Sequence, residues 1–211
     1  MATALLSSAY FGPIQWYQKL NRFDSCIIEQ NDNFIKQTYR NRCIIPTTNG
    51  LQILTVPIER IDGTRLDKTL MKDIRISDHG SWRHLHWAAL MSAYGESPFF
   101  EYYQDDIRPF FEKKWEFLID FNEEITSKMC ELLDIRPTIR LSDHFIGNVE
   151  SLKDNDVSDY RDVIRPKHPG EDNSFQSKKY YQVYDRKIGF QSNMSILDLL
   201  FNNGNESIFY L

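Results

Sequence analysis

The sequence predicts an α/β protein, a short-stranded Rossmann-like sheet with an antiparallel hairpin, flanked by helices. Three observations carry this. Two apolar runs, residues 4–8 and 25–29, bracket a helical pattern, which makes a βαβ-like unit. A Thr47-Thr48-Asn49-Gly50 turn joins two β-rich runs. Between residues 82 and 133 apolar side chains recur at helical spacing. The hairpin makes part of the pairing antiparallel, so α+β is the competing arrangement. A chain of 211 residues suits one domain over 1–211, and no repeat or second apolar core divides it.

The elements follow in order. Ala4-Leu5-Leu6-Ser7-Ser8 is a short buried strand, broken by Tyr10-Phe11-Gly12-Pro13. Pro13 can open a helix, because its fixed φ suits the first turn and its missing N–H is not needed there. Ile14, Tyr17, Leu20 and Phe23 continue at helical spacing, and Ser25–Glu29 is the next strand. Ligands of such units sit at the carboxyl end of the strands, here near Tyr10 to Pro13. Residues 42–45 and 51–56 flank the Asn-Gly turn, and residues 72–76 read as a half-buried strand. Trp82, Leu85, His86, Ala89, Leu90 and Ala93 mark one helix face. Ser97-Pro98 reads as an N-cap followed by Pro at the first helical position. Phe111, Trp115, Leu118, Asn122, Ile125 and Met129 belong to a long stripe that stops before Pro137. Residues 142–179 are rich in Asp, Ser, Asn, Lys and Pro and form a loop-rich segment, with 145–178 expected to be mobile and lid-like.

Composition narrows the function classes. Hydrophobic residues make up 41% and aromatics 14%, which argues for a packed globular chain. The 25 basic against 30 acidic residues form no basic cluster, so neither nucleic acid nor an anionic membrane is the expected main partner. Cys26, Cys43 and Cys130 are odd in number and far apart, a pattern of buried free thiols rather than a disulfide framework. No stretch is apolar enough to span a bilayer, and Met1–Ala9 lacks the basic start of a signal peptide, so the expected location is the cytoplasm. No P-loop, G-x-S-x-G or dinucleotide fingerprint is present, and the cofactor is unknown. His144 with Asp143, Asp154 or Asp156 matches no metal-ligand spacing, so no metal is expected.

The chain ends with Tyr180-Tyr181-Gln182-Val183-Tyr184, Gly189-Phe190 and Ser195-Ile196-Leu197-Asp198-Leu199-Leu200-Phe201-Asn202-Asn203-Gly204. This resembles the C-terminal signature of the WbqC-like family. The opening is similar too: Tyr10-Phe11-Gly12-Pro13, Lys19 to Asp24, and Asn41-Arg42-Cys43-Ile44-Ile45. Ser8-Ala9 stands where the family usually has Gln-Pro. Trp82-x-x-x-His86 and Ala93-Tyr94-x-x-Ser97-Pro98-Phe99-Phe100 also fit, so the likeness covers most of the chain outside 142–178. The resemblance implies a role in bacterial O-antigen or surface-polysaccharide biosynthesis. It points to a transferase that adds an amino acid of the glycine type, or an acyl group, to a sugar. A non-catalytic binding or scaffold protein of the glycan assembly machinery is the alternative. The partner implied is a sugar or nucleotide-sugar-like small molecule.

The candidate residues are weighed against plainer roles. His86 is either a packed core imidazole or a general base. Asp198 is the second catalytic candidate, but Ser195-x-x-Asp198 also reads as a capping box that opens the last helix, with Gly204 closing it. Arg42 is either a surface ion pair or a clamp for a carboxylate or phosphate, with Lys36 and Arg40 beside it. Gln182 and Asn202 are amides in apolar surroundings and need partners, in substrate or in backbone. Tyr10, Pro13, Asn41, Arg42, Tyr181, Gln182 and Asn202 form the substrate-binding set. The aromatic faces suit a sugar ring or plain core packing.

Overall fold

The computed structural model describes residues 2–60, 63, 65–147, 149 and 156–211. Strand β1 (Thr3–Ser7), helix α1 (Ile14–Arg22) and strand β2 (Ser25–Glu29) form the expected βαβ unit, with β1 and β2 parallel and adjacent. Both strands are apolar on both faces, as strands covered on two sides must be. Ala4, Leu6, Cys26 and Ile28 join the main core, and Leu5 and Ile27 pack on Ile146 on the opposite face. Pro13 is extended and precedes α1 rather than occupying its first turn. Lys19 and Arg22 lie in the last turn of α1, where cations suit the helix dipole.

Two further strands, β5 (Ile139–Leu141) and β6 (Val157–Asp159), complete a parallel sheet of order β5-β2-β1-β6. Neither was legible in the sequence, because three residues carry too little periodicity. The chain steps outward from β1 to β2 to β5, then returns to the other side of β1 as β6. The order therefore reverses between β1 and β6, and open α/β sheets bind ligands outside the carboxyl ends of strands at such a point.

The hairpin pairs β3 (Arg42–Thr47) with β4 (Gly50–Thr55) in a separate two-stranded sheet. Gly50 has φ 109, which a side chain would oppose, so the Asn-Gly signal has a local cause. Beyond the hairpin come α2 (Trp82–Tyr94), α3 (Phe100–Ile107), α4 (Pro109–Glu112) and α5 (Leu118–Leu132). Short helix α6 (Asp185–Ile188) and α7 (Ile196–Asn203) follow β6. The fold is mixed α/β, as the sequence predicts.

Three local expectations change. Residues 72–76 do not form a strand: 71–73 make a 3-10 turn, with single bridges from Arg75 and Ile76. Ser97 does not cap α3; its hydroxyl donates back to Tyr94 O at 2.7 Å. The stripe from Phe111 is not one helix, because residues 113–117 separate α4 from α5.

Candidate functional site

The carboxyl edge of the parallel sheet holds most of the buried charge. β1 runs into Ser8 and Ala9, β2 ends at Glu29, and β6 ends at Asp159 before Tyr160 and Arg161. At the reversal between β1 and β6 a small cavity is lined by Ser7, Ser8, Trp16, Thr38, Arg40 and Tyr160. A cleft of about 670 Å³ shares Ser8, Ala9 and Trp16 with it and runs along α5 past Trp115 and Asn122. That volume is typical of a small-molecule site.

The cleft wall is tied together by amides and indoles. Trp16 Nε1 donates to Ser7 O at 3.0 Å. Asn122 Nδ2 donates to Ser8 Oγ and to Arg40 O, both at 2.8 Å, which joins α5 to β1 and to the segment before the hairpin. Asn122 Oδ1, Trp115 Nε1, Ser7 Oγ and Arg40 Nε are buried with no partner. A buried polar group without a partner costs about 1–3 kcal/mol; Asn122 and Trp115 bring two such groups to the cleft, and Ser7 and Arg40 two to the small cavity. Asp120, Glu123, Glu124 and Glu131 outnumber the one lining cation, Arg136, among the described residues and give the cleft an acidic lip. Burial, then Asp120 and Glu124, raise the Glu123 carboxyl pKa.

Behind this wall the charges are paired. Arg40 is 2% exposed and bonds Asp32. Burial raises the Asp32 pKa against the pull of Arg40. Glu29 accepts from Ser142 Oγ at 2.5 Å, from Ile146 N at 2.8 Å and lies 3.5 Å from Arg161. Lys19, 1% exposed, lies 2.6 Å from Asp172 and 4.5 Å above the Tyr160 ring. Ser174 O also accepts from Arg22, and Tyr160 N donates to Leu5 O at 2.9 Å, so residues 160–174 are tied to α1 and β1. Of the segment expected to be lid-like, residues 148 and 150–155, Asp154 among them, lie outside the described residues.

The first turn of α1 is not open to a phosphate. Its N–H groups already donate to residues before α7: Ile14 to Met194 O at 3.0 Å and Gln15 to Asn193 Oδ1 at 2.9 Å. A dinucleotide of the usual α/β kind needs those donors.

The residues singled out from the sequence form three groups. Tyr10 and His86 make one: Tyr10 Oη lies 2.9 Å from His86 Nδ1, and Trp82 packs edge-on to the imidazole. Burial holds its pKa down at about 4, against a smaller upward pull from the Thr55 backbone, so the imidazole is neutral near pH 7. The second group centres on Asp198, 1% exposed. It accepts from Tyr180 Oη at 2.5 Å and Gln182 Nε2 at 2.7 Å, while Asn202 Nδ2 donates to its backbone O at 2.7 Å. Burial pushes the Asp198 carboxyl up to about 6 against these bonds. Ser195 caps α7 through Leu197 N, but the Asp198 side chain turns inward instead of closing a capping box. Pro13 pairs with Ser195 by a backbone bridge, and Tyr181 is exposed. Asn41 and Arg42 form the third group, on a separate pocket. Successive strand residues face opposite sides, so Arg42 is turned away from Cys43.

Sequence reading missed Trp115 and Asn122 as site residues, since both sit in an apolar stripe. An amide in that stripe was the available signal. Among the described residues no three His, Cys, Asp or Glu side chains gather as a metal-ligand set. The three thiols are buried and free, each pushed up to about 12, chiefly by burial. No described helix is long and apolar enough to cross a membrane.

Fold and cleft define a Rossmann-like α/β protein whose parallel sheet carries a ligand-sized cleft at its carboxyl edge. The chain belongs to the WbqC-like protein family, which matches residues 8–210. It is 27% identical over 235 residues to the uncharacterized protein Rv1507c of Mycobacterium tuberculosis (strain ATCC 25618 / H37Rv), covering 99% of this chain and 96% of that protein. No solved structure matches the chain.

Proposed function

We propose that this protein binds a sugar in the cleft between β1 and α5 and serves surface-polysaccharide assembly in the cytoplasm, as a transferase that adds an aminoacyl or acyl group to that sugar. The observation that carries the ligand class is the pair of unpartnered groups Trp115 Nε1 and Asn122 Oδ1 on one cleft. One is a donor and the other an acceptor. A hydroxyl is both at once, so a polyhydroxyl ligand satisfies the two kinds of group. The half-buried Trp115 indole supplies aromatic surface for the apolar face of a sugar ring. The acidic lip favours neutral or amino sugars over phosphates in this cleft.

One observation favours the non-catalytic alternative. His86 and Asp198 are both sealed in hydrogen-bonded interiors, so neither presents a nucleophile–base pair to the cleft. Calorimetry with a panel of neutral and amino sugars tests the ligand class. We expect binding that Trp115→Ala and Asn122→Ala each weaken about tenfold, the loss of one good hydrogen bond to ligand. Sugar binding unchanged in both variants refutes the site. Mass spectrometry of a bound sugar incubated with aminoacyl and acyl donors separates the readings: a mass gain marks a transferase, and none marks a binding protein.

A further inference from the structure

A second pocket, of about 390 Å³, lies where the hairpin meets the chain on either side of it. Lys36, Arg42 and Arg60 line it, and no acidic side chain does so among the described residues. Elsewhere the buried and half-buried cations Lys19, Arg40 and Arg161 sit on carboxylates. Arg42 does not. Its Nε is buried without a partner, and burial alone lowers its pKa, with no anion opposing the shift. A second polar group on the same pocket is also unsatisfied. Asn41 is 6% exposed and spends its Nδ2 on Val56 O at 2.9 Å, which leaves Oδ1 buried and unpaired. Gln37 and Thr55 also line it, and the remainder is apolar, Phe34, Val56, Pro57, Ile58 and Leu66.

We infer that this pocket binds the phosphate of a small organic phosphate or of a lipid headgroup, held by Arg42 with Lys36 and Arg60. Among the described residues these three cations have no local counter-ion and form a positive well, and a guanidinium offers paired donors to phosphate oxygens. Asn41 Oδ1 accepts only, so it suits a hydroxyl carried next to the phosphate. The apolar wall suits the non-phosphate body of the ligand. The first turn of α1, where this fold class usually binds phosphate, is already occupied by the chain's own groups. This inference does not rest on the sugar reading, since the two cavities share no lining residue.

The test is calorimetry with pyrophosphate and uridine diphosphate, and co-sedimentation with vesicles of phosphatidylglycerol or of phosphatidylcholine alone. The proteins are the wild type, Arg42→Gln, Lys36→Ala, Arg60→Ala and, as a control for the other cleft, Trp115→Ala. Circular dichroism confirms folding; Lys36 and Arg60 are exposed, so their variants keep the test valid if Arg42→Gln is unstable. We expect wild-type binding that weakens with rising salt and roughly tenfold with each lost cation, while Trp115→Ala binds like wild type. Binding of the soluble phosphates identifies a small molecule as the source. Binding confined to phosphatidylglycerol vesicles with the same dependence on the three cations identifies a headgroup. No binding of any probe below about 10 mM, weaker than most specific ligands, overturns the inference. So does binding that the three cation variants leave unchanged.

Discussion

Asp198→Asn should change how stability depends on pH more than stability itself. Asp198 is buried with no cation beside it among the described residues, and its side chain accepts from neutral donors, Tyr180, Gln182 and Asn202. Folding moves its carboxyl from the ordinary 3.8 up to about 6. The folded state therefore holds a proton that the unfolded state has lost over that interval. The stabilisation from this proton is complete below about pH 4 and disappears as pH rises through 6. A shift of roughly two units corresponds to about 3 kcal/mol. Asn keeps the shape but cannot titrate, and its oxygen can still accept from Tyr180 and Gln182. Its new NH₂ faces Asn202 Nδ2, which is 3.2 Å from Asp198 Oδ1, so the Asn202 amide must turn and use its unpaired Oδ1. Urea denaturation followed by tryptophan fluorescence at intervals from pH 4 to 8 measures the effect. The stability of wild type relative to the variant should fall by about 2.5 kcal/mol across that range, since at pH 4 the unfolded carboxyl is still partly protonated. A gap that stays constant within about 0.5 kcal/mol, or widens toward neutral pH, refutes the reasoning. It would mean that the hydrogen bonds outweigh burial and keep Asp198 ionised throughout.

His86→Gln should give the opposite slope. Folding holds the His86 pKa at about 4 instead of 6.5, so its contribution is present above 6.5 and lost as pH falls through 4, again about 3 kcal/mol. The two slopes oppose each other in wild type, and removing either residue should unmask the other; the same urea series reads both. Gly204→Ala should cost about 2 kcal/mol or more in urea denaturation, because Gly204 has φ 54 and an added Cβ would come within 2.7 Å of the Phe99 ring. A smaller loss would show that Phe99 moves aside freely.

The sequence by itself determined the local pieces. The run at 25–29, the Asn-Gly turn and the 82–94 pattern were legible because each depends on residues within a few positions of one another. The C-terminal signature placed the chain among its relatives for a similar reason: it is compact in sequence, and its polar members, Tyr180, Gln182, Asp198 and Asn202, do meet. What they meet for was not legible. The spacing of Ser195 and Asp198 reads as a cap, and only the arrival of Tyr180 and Gln182 turns Asp198 into the core. The same holds for the cleft. Nothing near Asn122 in the chain shows that Ser8 and Arg40 will bond its amide, because those contacts span 114 and 82 residues. Lys36, Arg42 and Arg60 likewise become neighbours only when the hairpin folds back beside the segment that precedes it. Local hydrophobic periodicity fixes helices and turns through interactions over a few residues. Burial, pairing of charges and the shape of a cavity depend on contacts between distant segments, and these exist only in the folded chain.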